Sequence, residues 1–467
     1  MTNFPLLFSP ITINRMELHN RLVMPAVHLN YTPTGKVTDQ LVAFYAERSQ
    51  GGTGLITVGG LAISALAGGE NLASVKDDAD VEGLSRLTAR VHEGEAKVGA
   101  QLYHAGAYAH PSNISGQAIT SSTHISRYTG QEARAMHRDE VAQVQDEFAQ
   151  AALRAKEAGF DMVEVLGSAG YLISQFLSPK INQREDEYGG SLENRFRFGL
   201  EVVAKVREAV GPDFCVGIRL AGNDFVPGSH TNLESRQFAA ACVDAGVDLI
   251  NVTGGWHETR VPQITAEVPP AGFSYLARGV KEAVPVPVCA SNLIHTPEIA
   301  EEVLSRGDCD LVCMARPLIA DPHFARKAAT GRRRLIRPCV SCNQGCFDAV
   351  ASEQPVACMT NPRAGHESQV PYNQAQVDRP LKVVVVGGGP AGCQAALTAA
   401  GRGHEVILLE AEARLGGQPD WYYKPTEKPD FVGIRHYFTA ALDEAGVDVR
   451  LDTRADLEAG VDLAPDA

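Results

Sequence analysis

Four of the ten cysteines in this chain lie within a twenty-residue segment, and their spacing predicts a metal centre. They are Cys339, Cys342, Cys346 and Cys358, in the pattern C-x2-C-x3-C-x11-C. Thiolates are soft ligands, and four of them on one short segment can surround an iron–sulfur cluster. The close triplet favours a four-iron cluster, although a structural zinc ion tolerates similar spacing. Free buried cysteines are a weaker interpretation of such tight spacing.

The composition indicates a globular chain from a reducing compartment. The chain has 467 residues, of which 44% are hydrophobic and 21% charged, so it can bury a large core. Its net charge of −14 argues against a nucleic-acid partner. No basic leader opens the chain and no apolar run is long enough for a membrane span, so we expect a cytoplasmic protein without a membrane partner. The other six cysteines lie in apolar runs and are expected to pack as small hydrophobic residues: Cys215, Cys242, Cys289, Cys309, Cys313 and Cys393.

The elements before the cysteine segment predict a (β/α)8 barrel. Short, continuously apolar runs alternate with helical patterns from residue 20 to 317, as expected for parallel strands that are buried on both faces. Arg138 to Ala158 forms the clearest amphipathic helix, and Gly159 ends it. The eight predicted strands are Arg21–Ala26, Gly54–Val58, Val98–Tyr103, Met162–Leu166, Cys215–Leu220, Leu249–Thr253, Val286–Ala290 and Leu311–Ala315.

Polar and glycine-rich residues follow most of these strands. In a (β/α)8 barrel the catalytic residues come from the loops at the carboxyl ends of the strands. Several histidines and arginines that share one rim therefore predict an active site at the barrel mouth. The residues concerned include Ala26, Val27, Gly60, Gln101, Tyr171, Arg219, His257, Ala315 and Arg316.

A glycine fingerprint after the cysteine segment predicts a nucleotide-binding module. An apolar strand from Leu381 to Val386 leads directly into Gly387-Gly-Gly389-Pro-Ala-Gly392 and then a helix. Glycines in this context let a pyrophosphate approach the helix N-terminus, and Glu410 after the second strand can accept a ribose hydroxyl. Gln418, in the string Arg-Leu-Gly-Gly-Gln, supports the same interpretation.

We expect three domains. They are a barrel at residues 1–330, a cysteine loop and linker at 331–380, and a Rossmann-like module at 381–467. The module is shorter than a complete nucleotide domain, which predicts a truncated or split enzyme. An electron carrier between two nucleotide-binding units is typical of an electron-transfer flavoenzyme.

Specific strings in the chain resemble the Old Yellow Enzyme family of NADH:flavin oxidoreductases. The most similar branch is the 2,4-dienoyl-CoA reductase-like one, in which a barrel, an iron–sulfur loop and an FAD/NAD(P)H module share one chain. The likeness runs from about Pro5 to Leu451. Its strings are Gly170-Tyr-Leu-Ile-Ser-Gln-Phe-Leu-Ser-Pro, Asn182-Gln-Arg-Glu-Asp-Glu-Tyr-Gly-Gly-Ser, Glu193-Asn-Arg-Phe-Arg-Phe and Met314-Ala-Arg-Pro.

This resemblance implies cofactors and roles. FMN would lie across the barrel mouth, with Tyr171 as proton donor and His257 as its partner. The implied FMN-binding residues are Ala26, Val27 and Gly60 at the ring, Gln101 at the pyrimidine edge, Arg219 at the N1/O2 side, and Ala315 and Arg316 at the phosphate. The implied 4Fe-4S ligands are Cys339, Cys342, Cys346 and Cys358. The implied FAD-binding residues are Gly387, Gly389, Gly392, Glu410 and Gln418.

The chain departs from the family at two places. Simple ene-reductases carry a His-x-x-His or His-x-x-Asn pair before the tyrosine, and Leu166 and Ala169 stand there instead. This difference favours the dienoyl-CoA branch or a demethylase-like branch. On strand seven, Leu293 replaces an arginine that would contact FMN in the reductase.

The sequence therefore predicts a flavin oxidoreductase that reduces a conjugated C=C bond with electrons from NAD(P)H, through FAD and 4Fe-4S to FMN. One alternative is oxidative N-demethylation of a small amine or amino-acid betaine. Another is an electron-transfer subunit with a silent barrel. A partner reductase or a missing C-terminal half would supply electrons, so we expect NAD(P)H alone to reduce the chain poorly. A homo-oligomer is also compatible with the sequence.

Overall fold

A closed parallel barrel and a smaller parallel sheet make up the computed structural model, which describes residues 4–69, 71–114, 116–422, 428–455 and 463–466. The barrel order is β3-β4-β5-β9-β10-β11-β12-β13, closing back on β3. The predicted α/β class and (β/α)8 barrel are confirmed. In chain order the strands are β1 (Ile11–Ile13), β2 (Met16–Leu18), β3 (Leu22–Met24), β4 (Leu55–Ala62), β5 (Lys97–Tyr103), β6 (Ile119–Thr120), β7 (His124–Ile125), β8 (Glu132–Ala135), β9 (Met162–Gly167), β10 (Cys215–Ala221), β11 (Leu249–Thr253), β12 (Val288–Ala290), β13 (Leu311–Cys313), β14 (Lys382–Val386), β15 (Glu405–Leu409) and β16 (Asp448–Arg450).

Helices surround the barrel, and their apolar faces pack against the strands and against neighbouring helices. The predicted helix at Arg138 is confirmed as α3, and Gly159 follows it with φ +86°. The helices are α1 (Asp39–Gln50), α2 (Val81–His92), α3 (Arg138–Glu157), α4 (Leu172–Leu177), α5 (Leu192–Val210), α6 (Asn232–Asp244), α7 (Ser274–Lys281), α8 (Pro297–Ser305), α9 (Ala315–Ala320), α10 (Phe324–Ala329), α11 (Phe347–Ala351), α12 (Pro390–Gly401), α13 (Pro419–Tyr422) and α14 (Val432–Glu444).

Three predicted strands are shorter in the structure. The strand predicted at Val286–Ala290 begins at Val288, and two others end early. The first barrel strand ends at Met24 instead of Ala26, and the last ends at Cys313 instead of Ala315. At the last strand the cause is local, because α9 begins at Ala315 and leaves no room for further strand pairing. Both strands still direct the following residues toward the same rim.

A repeated aspartate fastens the helix-to-strand joints at the base of the barrel. Each joint aspartate accepts a backbone hydrogen bond from the start of a neighbouring strand, and its own N–H donates to the carbonyl of that same residue. The joints thereby fix strand register at the end opposite the mouth. The side-chain bonds are Val98 N–H to Asp161 at 2.8 Å, Val216 N–H to Asp248 at 2.9 Å and Val288 N–H to Asp310 at 3.0 Å.

The cysteine loop lies between the barrel and the C-terminal sheet. Val340 is buried in the core beneath β14–β16, with Cys342 packed against it, whereas Cys346 and Cys358 pack against the barrel core. The small sheet has the order β14-β15-β16, so β14 is an edge strand, and Val386 at its end is 67% exposed.

The linker after the loop is clamped to α1 by buried ion pairs. Arg48 and Glu367 are both buried, and Arg48 Nη1 donates to Glu367 Oε1 at 2.9 Å. Beside them, Arg363 donates through both Nη atoms to the two oxygens of Glu47, each at 2.8 Å. The clamp fixes the chain shortly after Cys358.

Across the described ranges, every helix is too short or too polar to span a lipid bilayer.

Candidate active site

A cavity of about 320 Å³ opens at the barrel mouth, where the strand ends converge. Gly59 and Gly60 in β4 form part of its wall. Only glycine fits at position 60, because a Cβ there would come within 2.7 Å of the Tyr103 side chain. The cavity brings together six of the residues predicted from the sequence: Ala26, Gly60, Gln101, Tyr171, Arg219 and His257.

Three other predicted residues lie outside this lining. Val27 packs against the barrel core instead. Ala315 begins α9, and Arg316 next to it donates through Nη1 to the Ile264 carbonyl and to Asn343 Oδ1, both at 2.7 Å. Ile264 itself lines the cavity, so Arg316 lies behind the rim and ties it to the cysteine loop.

Tyr171 and His257 form a hydrogen-bonded pair in the cavity. The Tyr171 hydroxyl lies 3.0 Å from His257 Nε2. Tyr171 immediately precedes α4, and Gly170 before it has φ +91°, with Trp256 so close that a Cβ would meet its Nε1 at 2.5 Å. The His257 N–H donates to the Ala169 carbonyl at 3.2 Å, which joins the loops that follow β9 and β11.

The surroundings of this pair keep both groups neutral near pH 7. Burial raises the pKa of Tyr171 well above its usual value, and the Arg219 charge opposes this only in part. His257 is open to the cavity on one edge, but the protein atoms around it desolvate the imidazole and lower its pKa to about 4. The site therefore holds a phenol that carries its proton beside an imidazole that can accept or donate a hydrogen bond.

Aromatic rings enclose the pair. The ring of Tyr171 lies 4.9 Å from that of Tyr103 and 5.9 Å from that of Tyr108, measured between centroids. Tyr128 stacks at a tilt beside Tyr108 and His257, at 5.1 and 6.1 Å. The Tyr108 hydroxyl accepts from Trp256 Nε1 and donates to the Glu258 carboxylate at 3.2 Å. These aromatic π faces can hold a flat or a cationic ligand.

The lining residues fit a flavin ring. Gln101 offers an amide and Arg219 a guanidinium, the two groups that a flavin's pyrimidine edge needs as partners. The Nε2 atom of His28 is buried and has no hydrogen-bond partner among the described residues, so the wall also holds an unused polar atom. Burial lowers the pKa of His28 to about 4, which leaves its ring neutral at pH 7.

The two departures from the family pattern have a structural counterpart. Leu166 and Ala169 line the cavity, so apolar atoms occupy the positions of the carbonyl-binding pair. On the loop after β12, Asn292 faces the cavity, whereas Leu293 is buried in the wall.

The four clustered cysteines approach one another without forming a ligand set. The Ala357 N–H donates to the Gly345 carbonyl at 2.6 Å, which brings the chain at Cys358 beside that at Cys346. Within the described ranges, no group of three or more His, Cys, Asp or Glu side chains is arranged to hold a metal ion. The chemistry of the set nevertheless suits an iron–sulfur cluster, because backbone N–H groups face three of the sulfurs and Arg316 lies near them.

The glycine fingerprint forms a tight turn between β14 and α12. Gly387 has φ +100°, and a Cβ on Gly392 would lie 1.9 Å from the Gly387 carbonyl oxygen. Gly389 precedes α12, and Glu410 follows β15 and accepts from the Gly388 N–H at 2.6 Å. Gln418 lies on the exposed segment just before α13.

Sequence reasoning missed several residues of this site. Phe347 lines the cavity and Tyr108 packs beside Tyr171 because loops fold back over the rim, and no local pattern shows that. Glu164 and Asn251 carried a readable signal, since each is a polar residue within an apolar barrel strand.

Comparisons with known proteins identify the class, a flavin-dependent oxidoreductase, and the family. Residues 6–334 match the NADH:flavin oxidoreductase / NADH oxidase family, and residues 382–419 match the FAD dependent oxidoreductase family. The chain belongs to the NADH:flavin oxidoreductase / NADH oxidase family.

Characterised relatives and solved structures extend over nearly the whole chain. A metal reductase of Desulforamulus reducens is 47% identical over 96% of this chain and 67% of its own length. An N,N-dimethylglycine/sarcosine dehydrogenase of Chromohalobacter salexigens is 37% identical, covering 99% of this chain and 68% of the relative. The structure of a 2-naphthoyl-CoA reductase in complex with 2-naphthoyl-CoA superposes with a TM-score of 0.97 at 32% identity, over 99% of this chain and 73% of that one.

Proposed function

We propose that this enzyme reduces a conjugated C=C bond of an unsaturated acyl thioester or enoate. The observation that carries the proposal is the Tyr171–His257 pair, 3.0 Å apart, in the same cavity as Gln101 and Arg219. A proton donor that shares a cavity with flavin-binding groups is what the net addition of hydride and proton across a double bond requires.

FMN bound in the cavity would supply the hydride. Gln101 and Arg219 would hold the pyrimidine edge of its ring, and the wall at Gly60 would lie against the ring. Ala26 would complete the ring contacts, with Val27 packed behind it. Arg316, beside Ala315 and behind the rim, would have to release the Ile264 carbonyl to hold the phosphate.

Tyr171 would deliver the proton to the substrate carbon next to the carbonyl, while the hydride enters at the far end of the double bond. Its raised pKa keeps the proton in place until the substrate develops negative charge. Neutral His257, hydrogen-bonded to the phenol, orients this hydroxyl. The substrate gains one hydride and one proton, and the tyrosine regains its proton from solvent.

Electrons would reach the barrel from NAD(P)H, through FAD held at Gly387, Gly389, Gly392, Glu410 and Gln418. Cys339, Cys342, Cys346 and Cys358 would hold a 4Fe-4S cluster between the two flavins. The position of the cysteine loop between the barrel core and the C-terminal core supports this order. We further propose a cytoplasmic enzyme that works with a partner reductase.

The first test is anaerobic purification with counts of flavin, iron, sulfide and zinc. We expect FMN together with four iron and four sulfide per chain. Zinc in place of iron would contradict the cluster, and a protein that cannot bind flavin would contradict the whole proposal. Dithionite should bleach the flavin, and a 2,4-dienoyl-CoA should reoxidise it.

Oxidative N-demethylation is the second candidate. The rings of Tyr103, Tyr171 and Trp256 line the cavity and are suited to an N-methyl ammonium group through cation–π interactions. The likeness to the dimethylglycine/sarcosine dehydrogenase supports this candidate. Two results together would favour this candidate. An N-methyl amino acid would bleach the oxidised flavin under anaerobic conditions, and a dienoyl-CoA would fail to reoxidise the reduced flavin. Failure of both substrates would indicate an electron-transfer subunit.

A further inference from the structure

A buried carboxylate lies directly behind the two residues that face the flavin cavity with polar groups. Glu164, in the middle of β9, is only 2% exposed. Its Oε1 accepts from Gln101 Nε2 at 2.7 Å, and its Oε2 accepts from Asn251 Nδ2 at 2.9 Å. Asn251 in turn accepts through Oδ1 from Arg219 Nη1 at 2.8 Å. One chain of hydrogen bonds thus joins four neighbouring strands of the barrel.

Strand register places these residues side by side. Gln101 on β5 pairs with Glu164 on β9, and Arg219 on β10 pairs with Asn251 on β11. Burying a carboxyl group is costly unless hydrogen bonds compensate for lost water, and here two side-chain amides do so. An apolar residue would pack at this position without that cost.

The Glu164 carboxylate determines which end of the Gln101 and Asn251 side-chain amides faces away from it. A side-chain amide has a donor end and an acceptor end, and a carboxylate only accepts. The donor ends must therefore face Glu164. This leaves the Gln101 oxygen free for the cavity and turns the Asn251 oxygen to Arg219. The same Asn251 oxygen also accepts from Ser291 Oγ at 3.2 Å.

We propose that Glu164 is a positioning residue for flavin binding, acting through Gln101 and, by way of Asn251, through Arg219. The inference rests on the proposed function, because it assumes that FMN occupies this cavity. Glu164 itself does not line the cavity, so its effect would be entirely indirect.

Glu164→Gln tests the proposal with almost no change in shape. One end of the new amide must then meet a donor, so either Gln101 or Asn251 has to turn. We expect the dissociation constant for FMN, measured by fluorescence titration of the apoprotein, to rise tenfold or more, with a shift of the bound flavin's visible absorption bands. Thr57→Val, another buried substitution in the barrel, should leave both unchanged.

A double-mutant cycle separates positioning from general loosening. In a Gln101→Ala background, Glu164→Gln should weaken FMN binding at least threefold less than it does in the wild type, because one of its two routes is gone. An equal effect in both backgrounds, or an unchanged dissociation constant in the single variant, would overturn the inference.

A swapped variant covers the case in which Glu164→Gln does not fold. Gln101→Glu with Glu164→Gln restores the paired donors and acceptors but turns a carboxylate toward the cavity. It should fold and bind FMN more weakly than the wild type; binding as tight as the wild type would overturn the inference. If wild-type protein fails to bind FMN, the proposed function fails as well, so the two failures are distinguishable.

Discussion

Tyr171 is the residue on which the proposed reduction depends most directly. Phenylalanine would keep the ring packing against Tyr103 but remove the proton and the bond to His257. We expect Tyr171→Phe to lower turnover of a conjugated substrate by about 10²–10⁴-fold, the usual contribution of a general acid. Dithionite should still reduce the flavin at an unchanged rate. Stopped-flow absorbance measures both half-reactions. The control is Tyr275→Phe, a substitution at an exposed tyrosine. Unchanged turnover in Tyr171→Phe would rule out Tyr171 as the proton donor.

Asp224 is a buried acid whose charge depends on pH in the working range. Burial raises its pKa to about 7, although Ser229 Oγ donates to it at 2.6 Å. The unfolded chain releases this proton near pH 4 and the folded chain near pH 7, so the contribution of Asp224 to stability falls as pH rises between these values. Since one pKa unit corresponds to about 1.4 kcal/mol, the loss is on the order of a few kcal/mol.

The neutral variant Asp224→Asn should remove this dependence. We expect its free energy of unfolding, relative to that of the wild type, to increase steadily from pH 4.5 to pH 7.5 (roughly the window between the two pKa values). Urea unfolding at several pH values measures the difference. Parallel curves for the two proteins would show that Asp224 is already ionised at low pH.

Among the elements, the linker clamp makes the sharpest energetic prediction. Glu367→Gln leaves the Arg48 guanidinium buried without its counter-charge, which should lower the free energy of unfolding by about 3–5 kcal/mol. The double variant Arg48→Met with Glu367→Leu removes both charges. Its loss of unfolding free energy should be smaller than the sum of the losses in Arg48→Met and Glu367→Leu alone. The matched control is Glu302→Gln on α8, in the exposed pair with Arg306 just after that helix, which should cost at most about 0.5 kcal/mol. Similar losses for the buried and exposed pairs, measured by urea unfolding, would contradict the clamp.

At the scale of the whole molecule, buried histidines should make the fold sensitive to acid. Burial lowers the pKa of each to about 3 or 4, below the ordinary value of 6.5. Below pH 6.5 the unfolded chain binds protons that the folded chain does not, so stability decreases as pH falls from about 6.5 toward 4. Thermal unfolding in this range should show a steep loss of melting temperature, and a flat profile would contradict it. The residues are His28, His104, His230 and His323.

The barrel could be predicted from sequence because its strands carry a local signal, whereas much of the site could not. Continuous apolar runs identified the strands, and the fold then brought Gln101, Arg219, Tyr171 and His257 to one rim. Arg316 shows where this reasoning stops. It follows a strand as expected, but the start of α9 directs it to the Ile264 carbonyl and the cysteine loop. Such contacts depend on how distant loops fold back, which strand patterns do not encode.

The aspartate joints at the base of the barrel have a consequence for engineering. Asp161, Asp248 and Asp310 each tie the start of a neighbouring strand at the end opposite the mouth. Loops transplanted onto the mouth from other barrels of this kind should therefore leave the scaffold intact. The loops at the barrel mouth can therefore be exchanged in a search for new substrate preferences without redesign of the barrel strands.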